Sequence, residues 1–130
     1  MHIRVVPMNP DNSEFQEKSI NEIQNDYFIN YLNYDGWYKY EKNGLNAEVG
    51  DLLLFQMNNS IIASAIYSMP MAKSNHFVVQ KGTVKVFKPI DKDEFMGMFN
   101  GFKRFSNAKF SIDPTKEQMD LLIKRMDIIE

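Results

Sequence analysis

The chain has 130 residues, 44% of them hydrophobic and 13% aromatic, enough to bury a core and consistent with one domain over 1–130. It has no cysteine, which excludes a disulfide framework and thiolate metal sites and suits a reducing compartment. The net charge of −2 excludes a uniformly basic polyanion binder. No apolar run reaches the roughly 18 residues of a membrane span, and MHIRVVPMNPDN lacks the apolar centre of a signal peptide, so a soluble cytoplasmic protein without membrane partners is expected.

In chain order, Ile3-Arg4-Val5-Val6 reads as a strand, stopped by Pro7 and the turn-forming Asn9-Pro10-Asp11-Asn12. Ser13 and Gln16 have capping-box spacing, and Phe15, Ile20, Ile23 and Tyr27 recur at near-helical intervals, which predicts a helix over about 14–25. YFINYLNYDGWYKYEKN is dense in aromatics. Asp35-Gly36 signals a turn within it, and Trp37, Lys39 and Glu41 then alternate with Tyr38 and Tyr40 as in a strand. An irregular segment laid across a barrel mouth fits the same residues.

Residues 49–67, VGDLLLFQMNNSIIASAIY, carry the strongest hairpin signal. Leu52 to Met57 and Ser60 to Tyr67 are apolar runs joined by Asn58-Asn59, residues that tolerate the left-handed backbone of tight turns. Their continuity implies strands covered on both faces. SMPMAKSN reads as a loop, followed by strands FVVQ and TVKVFKPI. Asp91 opens a short helix, DKDEFMGMF, with acids in its first turn as the helix dipole favours. Phe102 to Ile112 is an extended return. Asp113-Pro114-Thr115 then starts a C-terminal helix, with Asp113 as cap and Met119, Leu122, Ile123 and Met126 on one apolar face. The expected class is α+β: a small, mostly antiparallel, partly closed sheet with peripheral helices.

Charge is unevenly spread. Residues 1–65 hold four basic side chains against nine acidic ones, and residues 66–130 hold eleven against eight. The excess concentrates between Lys73 and Lys109, a pattern that marks either a polyanion-facing surface or a solvated lysine face. Catalytic signatures are missing: there is no phosphate-binding glycine loop and no nucleophile elbow. His2 and His76, the only histidines, have no ligand spacing, so neither a metal nor another cofactor is expected. Asp91, Asp93 and Glu94 read as a helix start rather than a carboxylate pair.

Aromatics and cations remain. Trp37, Tyr38 and Tyr40 have the rings to stack on a base, and Lys73, His76, Lys103 and Arg104 have the charge to meet phosphates, the combination by which unpaired and flipped bases are held. Trp37 equally suits a core plug.

Glu48-Val49-Gly50-Asp51, then LLLF, a turn and SIIASAIY, resembles a hairpin of the PUA-like superfamily, which includes PUA, ASCH, EVE and YTH domains. HIRVVPMNP is similar to the first strand of an EVE-like domain, and FKRFSNAKFSIDPTKEQMDLLIKRM to the ends of PUA-like modules that accompany restriction endonucleases. The Gly-x-Lys-x-x-Glu-x-Arg signature of many ASCH domains is absent. The resemblance implies a small β-barrel and a nucleic-acid-binding module, RNA or DNA, that reads a modified or flipped base in a barrel-mouth pocket. Trp37 or Tyr38 would stack there, Asp51, Gln56 or Ser64 would bond the base edge, and Lys73, His76, Lys103 and Arg104 would face phosphates. The alternative is a protein-interaction or structural domain, a homodimer or a subunit of a larger assembly, using its nine methionines and exposed aromatics as an adaptable surface. A third reading is an enzyme acting on a nucleotide or RNA, although no catalytic residue is identified.

Overall fold

The structure is a computed structural model that describes residues 2–39, 47–70, 76–99 and 110–129. Strand β1 spans Ile3–Pro7. A helix, α1, then runs over 20–35, followed by β2 (Trp37–Lys39), β3 (Leu52–Met57) and β4 (Ser60–Pro70). Strands β5 (His76–Val79) and β6 (Lys85–Asp91), helix α2 (Lys92–Met98), β7 (Phe110–Ile112) and helix α3 (Lys116–Met126) complete the order.

The strands form one mixed seven-stranded sheet in the order β2-β5-β4-β3-β1-β7, with β6 also on β4. The β1–β3 pair is parallel and the others are antiparallel. The expected partial barrel is not what forms. β2 and β7 lie at opposite ends of the pairing order, so the sheet does not close. One edge of β4 is shared between two partners, with Ser60–Ser64 against β6 and Tyr67–Pro70 against β5.

Helices on both faces do what closure would have done. Leu53, Phe55 and Met57 of β3 face a cluster with Ile23, Phe28 and Leu32 of α1. Leu52 and Leu54 face the opposite cluster, with Phe95 of α2 and Leu122 and Met126 of α3. This is why the β3 run is apolar without alternation. The turn between β3 and β4 is as the sequence predicts: Asn58 and Asn59 have φ of 52° and 61°, the left-handed pair of a type I′ hairpin.

Helix α1 starts later and runs longer than expected. Its cap is Ser19, whose Oγ accepts from the Glu22 N–H while the Glu22 carboxylate accepts from the Ser19 N–H. Ser13 and Gln16 instead lie in a turn ahead of it. Between Ile23 and Leu32 the helix is π-wound, as in the Asn33 N–H donating to the Phe28 carbonyl five residues back. Gly36 ends it at φ 81°, where a Cβ would sit 3.0 Å from the Val79 carbonyl oxygen, so only glycine lets the chain turn here into β2. At the far end of the chain, α3 is capped by Thr115 with Gln118, not by Asp113, whose carboxylate pairs with the His2 ring.

Gln24 was not singled out by the sequence, yet it locks α1 to the sheet. It is buried, and its Nε2 donates to the carbonyls of Ile62 (2.9 Å) and Phe87 (2.7 Å), where the β4–β6 ladder slips between Ile61 and Ala63. Gln24→Leu would leave both carbonyls without that donor. Urea unfolding is expected to show a loss of about 2 kcal/mol, and an unchanged midpoint would show that water replaces the amide.

Candidate nucleic-acid interface

Where β2, β5 and the end of β4 pair, only one face of the sheet meets the core. Tyr38, Phe77, Val79 and Tyr67 point inward, and the Tyr38 and Phe77 rings stack at 5.1 Å and 25°. The opposite face carries the alternate residues. Trp37 stands across from Val78, and Val78 across from Met69, forming one row over three strands. Trp37 is 49% exposed and Met69 53%. Lys39 and His76 are the next cross-strand pair on that face. On the opposite side of the row from Lys39, the Lys81 and Val78 side chains come within 3.7 and 3.8 Å of the position a Cβ on Gly36 would take. The outer face therefore offers one large ring and two thin apolar neighbours, with basic residues on both sides of the row.

Of the residues singled out from the sequence, the structure brings Trp37 and His76 to this face. Tyr38 is on the other side. At 3% exposure, with its ring against Phe77, Phe55 and Tyr27, it is core and not a surface stacking platform.

Asp51 is 3% exposed and its oxygens are engaged by its own chain. Oδ2 accepts from the Glu48 N–H at 2.9 Å and Oδ1 from the His2 N–H at 3.2 Å, with the Arg4 guanidinium 3.5 Å from Oδ2. Burial alone would raise its pKa, but the two N–H donors and Arg4 more than reverse this and hold the carboxyl below its ordinary value. The Gly-Asp pair is thus a clamp between the turn ahead of β3 and the start of β1. Ser64 is buried inside the sheet between Leu54 and Lys85, and Gln56 is half-buried on β3, at the slip in the β3–β4 ladder. Tyr40, Lys73, Lys103 and Arg104 lie outside the described residues.

Lys39, Val78, Met69 and Lys81 also belong to this candidate face, and the sequence did not single them out. Strand alternation was a signal for Lys39. The β5 register that brings Val78 between Trp37 and Met69 had none. Among the described residues, no three of His, Asp and Glu gather in a way that would hold a metal ion. No helix among them is long and apolar enough to cross a membrane.

The same arrangement of strands and helices occurs in known structures. The chain aligns with the crystal structure of an ASCH protein from Zymomonas mobilis with a TM-score of 0.61 and 11% identity, over 98% of each chain. The fold is ASCH-like. Two variants of a Zymomonas mobilis ASCH protein give the same picture. A tyrosine-to-phenylalanine form aligns with TM-score 0.54 at 10% identity over 94% of this chain and 96% of that one. A serine-to-alanine form aligns with TM-score 0.56 at 10% identity over 94% of each. No family model and no curated protein matches the sequence. At this identity the ASCH likeness concerns the fold, and the Trp37 row is read from this chain alone.

Proposed function

We propose that the protein is a nucleic-acid-binding module that takes an unpaired strand across the outer face of β2 and β5. The observation that carries this reading is the half-exposed Trp37 at the head of the row formed with Val78 and Met69. A base stacks on the indole, and Lys39, His76 and Lys81 face the flanking phosphates. The PUA-like fold, with its implied affinity for nucleic acid, supports the same reading. An open row suits an unpaired or flipped base better than an intact duplex, whose base faces are hidden. A modified base is the finer version, in which a substituent lies over Val78 and Met69.

The test is anisotropy of labelled RNA and DNA oligonucleotides. Trp37→Ala is expected to weaken binding about tenfold, from a stacking contribution of roughly 1–3 kcal/mol. Lys39→Ala with Lys81→Ala is expected to reduce the slope of log K against log salt by about one to two. Unchanged affinity in the Trp37 variant would end this reading.

A second reading has its own observation. Leu121, Ile123, Ile128 and Ile129 are exposed on and just after α3, with the Ile128 carbonyl accepting from the Lys88 N–H at 2.9 Å. A protein-interaction domain would use such a surface, and a mass that rises with concentration in light scattering would favour it.

A further inference from the structure

Strand β4 changes sides at Ser68. Residues two apart on a regular strand share a face. Tyr67 nevertheless is 3% exposed, with its ring 5.8 Å from that of Phe77, while Met69 is 53% exposed. The pairing with β5 gives the reason. Tyr67 lies opposite Val79 and Met69 opposite Val78, so β4 takes two steps where β5 takes one, and Ser68 is the extra residue. A bulge of this kind re-aims the side chains that follow it, and bulges are frequent beside functional sites. In a regular ladder Met69 would share the inner face with Tyr67 and Val79, and the outer row would stop at Val78.

Met69 therefore differs from the other methionines of the described residues. Met8, Met57 and Met126 are buried in the two cores. Met96, Met98 and Met119 are half-buried, and the last two pack against the cluster around α2 and α3. Thioether oxidation follows access to the sulfur. The bulge thus gives the most accessible thioether among these seven a place in the apolar row headed by Trp37.

We propose that Met69 is a modification site, converted by a peroxide to the sulfoxide, and that this weakens the hold of the Trp37 row on a base. The effect on binding rests on the nucleic-acid reading above. The sulfur lone pair attacks one peroxide oxygen as the O–O bond breaks, so a sulfur–oxygen bond forms and the other oxygen leaves as hydroxide. That hydroxide takes the proton from the transferred oxygen and becomes water. Sulfur loses two electrons and the peroxide gains them. The product is a polar, chiral group in place of an apolar one, and reductases specific for methionine sulfoxide reverse the change. A base that covers this end of the row must then strip water from the sulfoxide oxygen without offering it a donor, which disfavours binding.

The test exposes the full chain to hydrogen peroxide for graded times, with peptide mapping by mass spectrometry to read the gain of one oxygen at each methionine. Met69 is expected to oxidise at least about tenfold faster than Met8, Met57 and Met126. Anisotropy with a labelled single strand is expected to show affinity falling about fivefold as the Met69 sulfoxide accumulates. In Met69→Leu, which has no sulfur there, the same exposure is expected to change the variant's own affinity by less than about twofold. Oxidation of the buried methionines as fast as Met69, or an equal loss of affinity in Met69→Leu, would overturn the proposal. So would a Met69 sulfoxide that binds as the reduced protein does while Trp37→Ala binds more weakly. Unchanged affinity in Trp37→Ala would overturn the nucleic-acid reading instead, and the order of oxidation would still decide whether Met69 is the modification site.

Discussion

Tyr38→Ala is expected to cost about 4 kcal/mol of stability, while Trp37→Ala, one residue away, costs less than about 1 kcal/mol. Tyr38 is 3% exposed, and its ring lies against Phe77 at 5.1 Å, Phe55 at 4.9 Å and Tyr27 at 6.0 Å. Removing it opens a cavity between β2, β3, β5 and α1 that these rings cannot jointly refill. Trp37 is half out of the sheet, and its removal mainly exposes Val78. Urea denaturation of the two variants under identical conditions checks the contrast. Equal losses would place both rings in the core and remove the basis for a stacking surface.

Asp51→Ala is expected to cost about 3 kcal/mol. Two backbone donors, the N–H groups of His2 and Glu48, lose their acceptor, and Arg4 loses its countercharge. Arg4 is 22% exposed and 3.5 Å from the carboxylate, so water answers part of its charge and the effect stays at the low end for a broken buried pair. The pH dependence follows from the lowered pKa of Asp51. A carboxyl whose folded value lies below its unfolded one contributes its full stabilisation above about pH 4, and that contribution disappears as pH falls through the folded value. Wild-type stability should therefore drop more steeply than that of the alanine variant on acidification. Parallel acid profiles would show that Asp51 is not clamped in solution.

The central hairpin was legible because its signals were local and agreed with one another: two continuous apolar runs and an Asn-Asn turn between them. The start of α2 at Asp91 was legible for the same reason, and its carboxylate does accept the Glu94 N–H at 2.8 Å. The start of α1 was ambiguous, since Ser13-x-x-Gln16 and Ser19-x-x-Glu22 are equally good caps. The second wins because it lets Ile23, Tyr27, Phe28 and Leu32 reach the sheet together. Closure into a barrel was the natural inference from strands apolar on both faces, but helices on both sides satisfy those faces equally well. The parallel β1–β3 pair, which joins residues about 50 positions apart, has no local signature. At the candidate site, alternation separated Trp37 from Tyr38 but could not say which faced the core. Phe77 decides it, and only the β2–β5 register shows that.

The most direct measurement is the intrinsic fluorescence of Trp37, the only tryptophan, titrated with single- and double-stranded RNA and DNA, with and without modified bases, at low and moderate salt. A module that stacks an unpaired base on this ring predicts saturable quenching, stronger for single strands and weakened by salt. A flat signal across the panel, with flat anisotropy of the labelled strands, would contradict it and turn attention to the apolar surface around Leu121 and Ile129.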